Sequence, residues 1–207
     1  MTTSVRGGRQ KLRRFKSKVA SSSMTLPVIE TARLRLRPFR LDDVDALHRL
    51  WTEPEVRQYL WDGDVITRER VESLVNTSLT SFEDHGFGLW AVLPREEESL
   101  IGFCGFWFFH EPPKLELLYG ISPAHWHKGL ATEAARAMMN YGFRELSFQR
   151  IEASTDAANM ASSKVMERAG MSFWKRETTN GLDTVYFAIS RVDQESKISE
   201  GGNRGED

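Results

Sequence analysis

The run Leu115-Glu-Leu-Leu-Tyr-Gly-Ile121, Ser122-Pro-Ala-His-Trp-His127, Lys128-Gly-Leu-Ala-Thr-Glu133 has the residue types and spacing to hold an anion. An apolar strand leads into a short loop, and a helix begins at a glycine. The N–H groups of a helix's first turn have no partner inside the helix, and with the helix dipole they attract negative charge. Gly129 has no Cβ, so a phosphate can approach the main chain. Ala131 is small, and Thr132 adds a hydroxyl. The run lacks both G-x-G-x-x-G and G-x-x-x-x-G-K-[ST], so dinucleotide and Walker-type sites are not favoured. Taken alone, it is also what an ordinary strand–loop–helix with a loop glycine looks like. His125 and His127 form an H-x-H pair, but zinc needs a third and fourth ligand that nothing suggests, so no metal is expected.

The elements that would position this run follow from periodicity. Arg33-Leu-Arg-Leu-Arg37 alternates with period two and predicts a half-buried strand stopped by Pro38. Asp42 or Asp43 can cap a helix with Val44, Leu47, Leu50 and Trp51 on one face. Thr67 opens a second helix carrying Val71, Leu74, Val75 and Leu79. Strand-like runs at Leu89–Leu93, Leu100–Phe109 and Leu115–Ile121, with turns at Pro94–Ser99 and His110–Lys114, read as an antiparallel meander. A helix at Leu130–Arg144 follows, then a strand at Arg150–Thr155 and a helix at Ala161–Ala169 closed by Gly170. Two last strands, Phe173–Thr178 and Thr184–Ile189, are joined by the hairpin signal Asn180-Gly181. Strands in the middle flanked by helices make the class α/β or α+β.

The 207 residues suffice for one domain. The longest apolar stretch, Leu100–Phe109, is about half a membrane span, and no apolar run follows the basic start as in a secretory signal. The net charge of −1 hides an asymmetry: residues 1–23 carry +7 and the rest −8. A part that acidic suits a cationic partner better than nucleic acid. Residues 1–23 read as a disordered basic extension, residues 24–193 as the domain, and residues 194–207 as a disordered polar tail. Three readings of the extension stand: an upstream or vector-derived segment with the working start at Met24, a basic arm, or an organelle-targeting segment. The single cysteine, Cys104, lies in an apolar run and reads as a small buried hydrophobe in a reducing, cytoplasmic setting.

Three stretches in order and at matching spacing carry a family resemblance. Glu30-Thr-Ala-Arg-Leu-Arg-Leu-Arg-Pro38, Trp126-His-Lys-Gly-Leu-Ala-Thr-Glu-Ala134, and Asn159-Met-Ala-Ser162 with Val165-Met-Glu-Arg-Ala-Gly-Met171 together resemble the GNAT N-acetyltransferase superfamily. The ribosomal-protein N-acetyltransferase (RimJ/RimL-like) branch is the nearest, over about Ile29–Ser190. The resemblance implies a mixed, mostly antiparallel sheet of about seven strands flanked by helices, with a splayed strand pair holding acyl-CoA. It implies that the main chain of His127, Lys128, Gly129, Leu130, Ala131 and Thr132 cradles the CoA pyrophosphate, and that the Tyr119, Gly120, Ile121 edge pairs with pantetheine. Asn159 would contact the pantetheine arm and Ser162 the thioester sulfur. Two positions depart from the superfamily: Trp126 replaces the usual Arg or Gln, and His127 a common glycine. A third, Met166, stands where many members have the tyrosine that protonates the thiolate.

The implied function is acetyl-CoA-dependent acetylation of a primary amine, a protein N-terminus or a small molecule, by direct attack on the thioester. Glu116 and Glu152 are the candidate bases, Glu116 preferred, with a solvated strand carboxylate or structural ion pair as the plain alternative for each. A strand N–H near Tyr119 would serve the thioester oxygen, Tyr119 itself being read as packing. Trp51, Trp61, Trp90 and Trp107 read as core or substrate wall, and Trp61-Asp62 and His110-Glu111 as possible lining of the amine pocket. No membrane association is expected, and the chain would be a monomer or homodimer. The competing readings are a catalytically silent acyl-CoA-binding module and a nucleic-acid-associated protein acting through the basic arm.

Overall fold

The structure, a computed structural model, describes residues 26–61, 63–109, 113–179 and 181–194. The expectations for residues 1–23, for the tail beyond Gln194, and for Asp62, His110, Glu111 and Asn180 lie outside the described residues.

Five strands form one antiparallel sheet in chain order: β1 (Ile29–Glu30), β2 (Leu34–Pro38), β3 (Leu89–Pro94), β4 (Gly102–Phe109) and β5 (Lys114–Ile121). A second sheet holds β6 (Arg150–Asp156), β7 (Ser172–Thr179) and β8 (Leu182–Ser190) in the order β6-β8-β7, again antiparallel. The helices are α1 (Val44–Thr52), α2 (Pro54–Leu60), α3 (Arg68–His85), α4 (Leu130–Arg144) and α5 (Met160–Ala169). The expected strands are all present, preceded by the two-residue β1. β5 is in register only with β4 and β6 only with β8, so the sheets part between β5 and β6. Helix α4 crosses that division.

Strand alternation sends side chains to two cores. Trp90, Val92, Cys104, Phe106 and Leu117 face Ala134, Ala135, Met138, Met139 and Phe143 of α4. Leu89, Ala91, Leu93 and Phe103 face Val44, Leu47, Leu50 and Trp51 of α1 and Val71 and Val75 of α3. Trp51 and Trp90 are core residues, while Trp61 and Trp107 are half-buried against the second cluster. Cys104 is fully buried, and burial pushes its thiol up, as a small hydrophobe requires.

Thr67 caps α3 as its sequence predicts, its hydroxyl accepting from Arg70 N–H at 3.2 Å. Asp43, expected as a helix cap, makes no side-chain cap to α1. Its carboxylate instead takes the Arg37 guanidinium with both oxygens at 2.7 Å, and Arg40 N–H at 2.7 Å. Arg37, in the interior position of a strand, brings a charge that must be paired, and this demand outweighs the cap; the pairing holds Arg37 above its usual range. Asp43→Ala would leave a buried guanidinium uncompensated and should cost about 3–5 kcal/mol in denaturant unfolding; a loss below about 1 kcal/mol would show that Arg37 reaches water instead. Helix α2 was not expected from the sequence. It starts at Pro54, a residue pre-set for the first helical position, but buries no residue completely and so leaves no apolar period.

Candidate active site

The edge of β5 facing the division is set by ladder parity. Ser122 N–H donates to Ile101 O on the β4 side at 2.8 Å. Main-chain groups alternate sides along a strand, so those of Gly120, Leu118 and Glu116 also point to β4. Those of Ile121, Tyr119 and Leu117 point to the β6 side. Gly120 was expected to share in a pantetheine-pairing edge. Its main chain is committed to β4, and a Cβ there would lie 2.6 Å from the Phe103 ring, so packing accounts for the glycine.

Beyond β5 the chain makes a 3-10 turn at Pro123–His125. Trp126, in place of the superfamily's usual Arg or Gln, then donates its indole N–H to Ile121 O at 2.6 Å. That bond staples the loop to the end of the strand and occupies one acceptor of the outward edge. His127 has φ +60°, and Gly129, which begins α4, has φ +74°. Both are left-handed; histidine tolerates that region better than most residues but still at a cost. The His127 side chain points to solvent, so the departure from glycine strains the backbone rather than filling the loop. Among the described residues no side chain caps α4, whereas Thr67 and Asn159 cap α3 and α5. The first-turn amides at Leu130, Ala131 and Thr132 therefore lack an intrahelical or side-chain partner from a cap.

Glu116 is only 3% exposed and lies opposite Trp107 on β4. Ser154 on β6 donates its hydroxyl to Glu116 Oε2 at 2.5 Å, across the division between the sheets. Tyr186 pairs with Ser154 along β8, and the Glu116 charge, after burial, helps push its phenol up. Glu152 lies two residues before Ser154, on the same face of β6, but holds Arg150 at 2.7 Å. Glu152 is thus tied within its own strand, while the Glu116 carboxylate is held across the division. Ser154 was not singled out in the sequence: a serine in a strand gives no signal until its partner is known.

On the α4 side, Tyr119 places its hydroxyl 2.8 Å from Ser162 Oγ and donates to Ser162 O at 3.0 Å. Burial pushes the Tyr119 phenol up, so it stays a neutral donor. Its side chain does more than pack: it ties β5 to the first turn of α5. Asn159 Oδ1 caps that turn by accepting from Ser162 N–H at 3.1 Å. Met166 is in the core, 1% exposed, and the thiolate-protonating tyrosine of other members has no counterpart there.

Residues 33–172 match the acetyltransferase (GNAT) domain family. The chain is 31% identical over 167 residues to the uncharacterized N-acetyltransferase YnaD of Bacillus subtilis, covering 78% of this chain and 95% of that one. It is 30% identical over 159 residues to FsC-acetyl coenzyme A-N(2)-transacetylase of Aspergillus fumigatus, covering 70% and 65%. Among solved structures, a GNAT-family acetyltransferase from Bacillus anthracis superposes with TM-score 0.67 at 28% identity, over 79% of this chain and 98% of that one. The ribosomal L7/L12 alpha-N-protein acetyltransferase RimL in complex with coenzyme A has the same fold at TM-score 0.68, with 19% identity over 79% and 98%. The chain belongs to the GNAT family and is an acetyltransferase, with acetyl-CoA-dependent acetyl transfer as its general activity. The reading as a catalytically silent acyl-CoA-binding module finds no support among these relatives.

Proposed function

We propose that this enzyme acetylates a primary amine by direct attack on acetyl-CoA, with Glu116 taking the amine proton. The observation that carries the reading is the buried Glu116 carboxylate, held by Ser154 in the division between β5 and β6. The neighbouring β5 edge offers Tyr119 C=O and Ile121 N–H, a fit for the amides of a pantetheine arm. The Tyr119 N–H, aimed into the same division, suits the charge that develops on the thioester oxygen. The pyrophosphate lies on the main chain from His127 to Thr132, with Gly129 allowing close approach. The Asn159 side chain, fixed at the start of α5, borders the pantetheine arm, and the paired Ser162 and Tyr119 hydroxyls face the leaving sulfur. Glu152, already tied to Arg150, is the second candidate base.

A primary amine as acceptor is in keeping with the names of two similar proteins. RimL is an alpha-N-protein acetyltransferase, and a spermidine N(1)-acetyltransferase of Escherichia coli is 23% identical over 139 residues. Acetyl-CoA turnover against a panel of peptides with free α-amines, polyamines and lysine-type amines tests the proposal. Saturable CoA release with one amine class, at least tenfold above hydrolysis, is the expected result. Release equal to hydrolysis across the whole panel would refute amine transfer.

A further inference from the structure

The loop that begins α4 is tied to a segment a hundred residues earlier in the chain. Glu133, in the first turn of α4, accepts from Thr31 Oγ1 at 2.6 Å, Arg33 N–H at 2.9 Å and Arg33 Nε at 2.7 Å. Arg33 Nη2 closes the ion pair at 2.6 Å. The same guanidinium donates through Nη1 to Lys128 O at 2.8 Å, the carbonyl just before Gly129. A Cβ placed on Gly129 would lie 3.7 Å from Arg33 Nη2, so the guanidinium flanks the helix start itself. Burial pushes the Glu133 carboxyl up, but the Thr31 and Arg33 hydrogen bonds outweigh it and hold the group below the usual range. Glu133 is therefore an anion at neutral pH in the turn that would receive phosphate.

A carboxylate there competes with a bound anion for the positive end of the helix. Uncompensated, it would repel phosphate across a few ångströms. Arg33 cancels that charge and draws the Lys128 carbonyl toward itself, fixing the left-handed turn at Gly129. We propose that Arg33 is a positioning residue for the phosphate-bearing acyl donor, acting through Glu133 and Lys128 as a charge-neutral clasp. The strand segment Thr31–Arg33 thereby becomes part of donor recognition. The proposal rests on the assignment of the Gly129 loop to the pyrophosphate.

The test compares acetyl-CoA with S-acetylpantetheine, which has the thioester and arm but no phosphate. Arg33→Met should raise KM for acetyl-CoA about tenfold, the effect of one exposed unit charge at short range. kcat should change little, and kcat/KM for S-acetylpantetheine should stay parental. Adding Glu133→Gln to Arg33→Met should recover much of the KM loss, because the uncompensated carboxylate is gone. Arg33→Lys keeps the charge without the two-sided reach and should fall between parent and Arg33→Met; it also serves if Arg33→Met does not fold. Equal losses with both donors would mean that Arg33 only supports the fold, and would overturn the proposal. An unchanged KM for acetyl-CoA in Arg33→Met would overturn it as well. If the parent itself showed no preference for acetyl-CoA over S-acetylpantetheine, the loop assignment would fail and take the clasp with it. A parental preference with no response to Arg33→Met would sink the clasp alone.

Discussion

Glu116→Gln is expected to lower kcat/KM at pH 7 by about 10²–10⁴ while leaving the thermal shift given by acetyl-CoA nearly parental. The amide keeps the shape of the side chain and still accepts from Ser154 Oγ, so the bridge between β5 and β6 survives in part. What disappears is the negative charge proposed to receive the amine proton. Raising pH should then partly rescue the variant, since more of the amine is neutral without help. An α-amine, with a pKa of about 8, would recover by about pH 8–9, and a lysine-type amine only toward about pH 10. The rescue profile therefore also reports the acceptor class. Glu152→Gln is the control: it breaks the pair with Arg150 and should leave turnover within a few fold of parental. A large loss there, with Glu116→Gln near parental, would make Glu152 the base. Near-parental turnover in both would leave the proton to water, with the enzyme acting by placing its two reactants.

The second large effect is at the helix start. Acetyl-CoA at about 100 times its dissociation constant should stabilise the parent by roughly 2.7 kcal/mol. Gly129→Glu should abolish most of that stabilisation and most of the activity at moderate donor concentration. It sets a like charge where the phosphates are proposed to lie, at a position with φ +74°. Among the described residues only Arg33 Nη2 lies near a Cβ there, at 3.7 Å, so crowding is not the cause. Gly129→Ala carries the same backbone cost, about 1–2 kcal/mol, without the charge. It should lower the ligand-free melting temperature and keep a substantial acetyl-CoA shift. A full shift in Gly129→Glu would move the pyrophosphate elsewhere.

The parts of this architecture that could be read from the sequence are those written locally. α3 announces itself by Thr67 and the Val71 and Val75 face, and α4 by Gly129 and a stripe of alanines and methionines. The hairpin from β7 to β8 is written in Asn180-Gly181, and Thr179 indeed pairs with Leu182 across it. What stayed hidden depends on partners far along the chain. Glu116 and Glu152 look alike in sequence, both acidic residues in strands. Only the packing of β5 beside β6 shows Ser154 reaching Glu116, while Glu152 is held by Arg150 within its own strand. The role of Gly120 turned on which edge of β5 pairs with β4, a parity fixed by Ser122 and Ile101. Asp43 looked like a cap because the side chain that claims it, Arg37, sits in a strand that seemed only to alternate.

The lone cysteine gives this protein a built-in clock. Cys104 has no solvent exposure in the middle of β4, between Trp90 on β3 and Tyr119 on β5. A disulfide reagent added to the folded enzyme will therefore see the CoA released by turnover and almost nothing else. The same reagent without substrate reads a different event, because the sulfur can be blocked only when the strand leaves the sheet. If exchange of that kind is fast relative to blocking, its rate measures the free energy of opening β4. Bound donor should slow the labelling by the factor by which it stabilises the closed form.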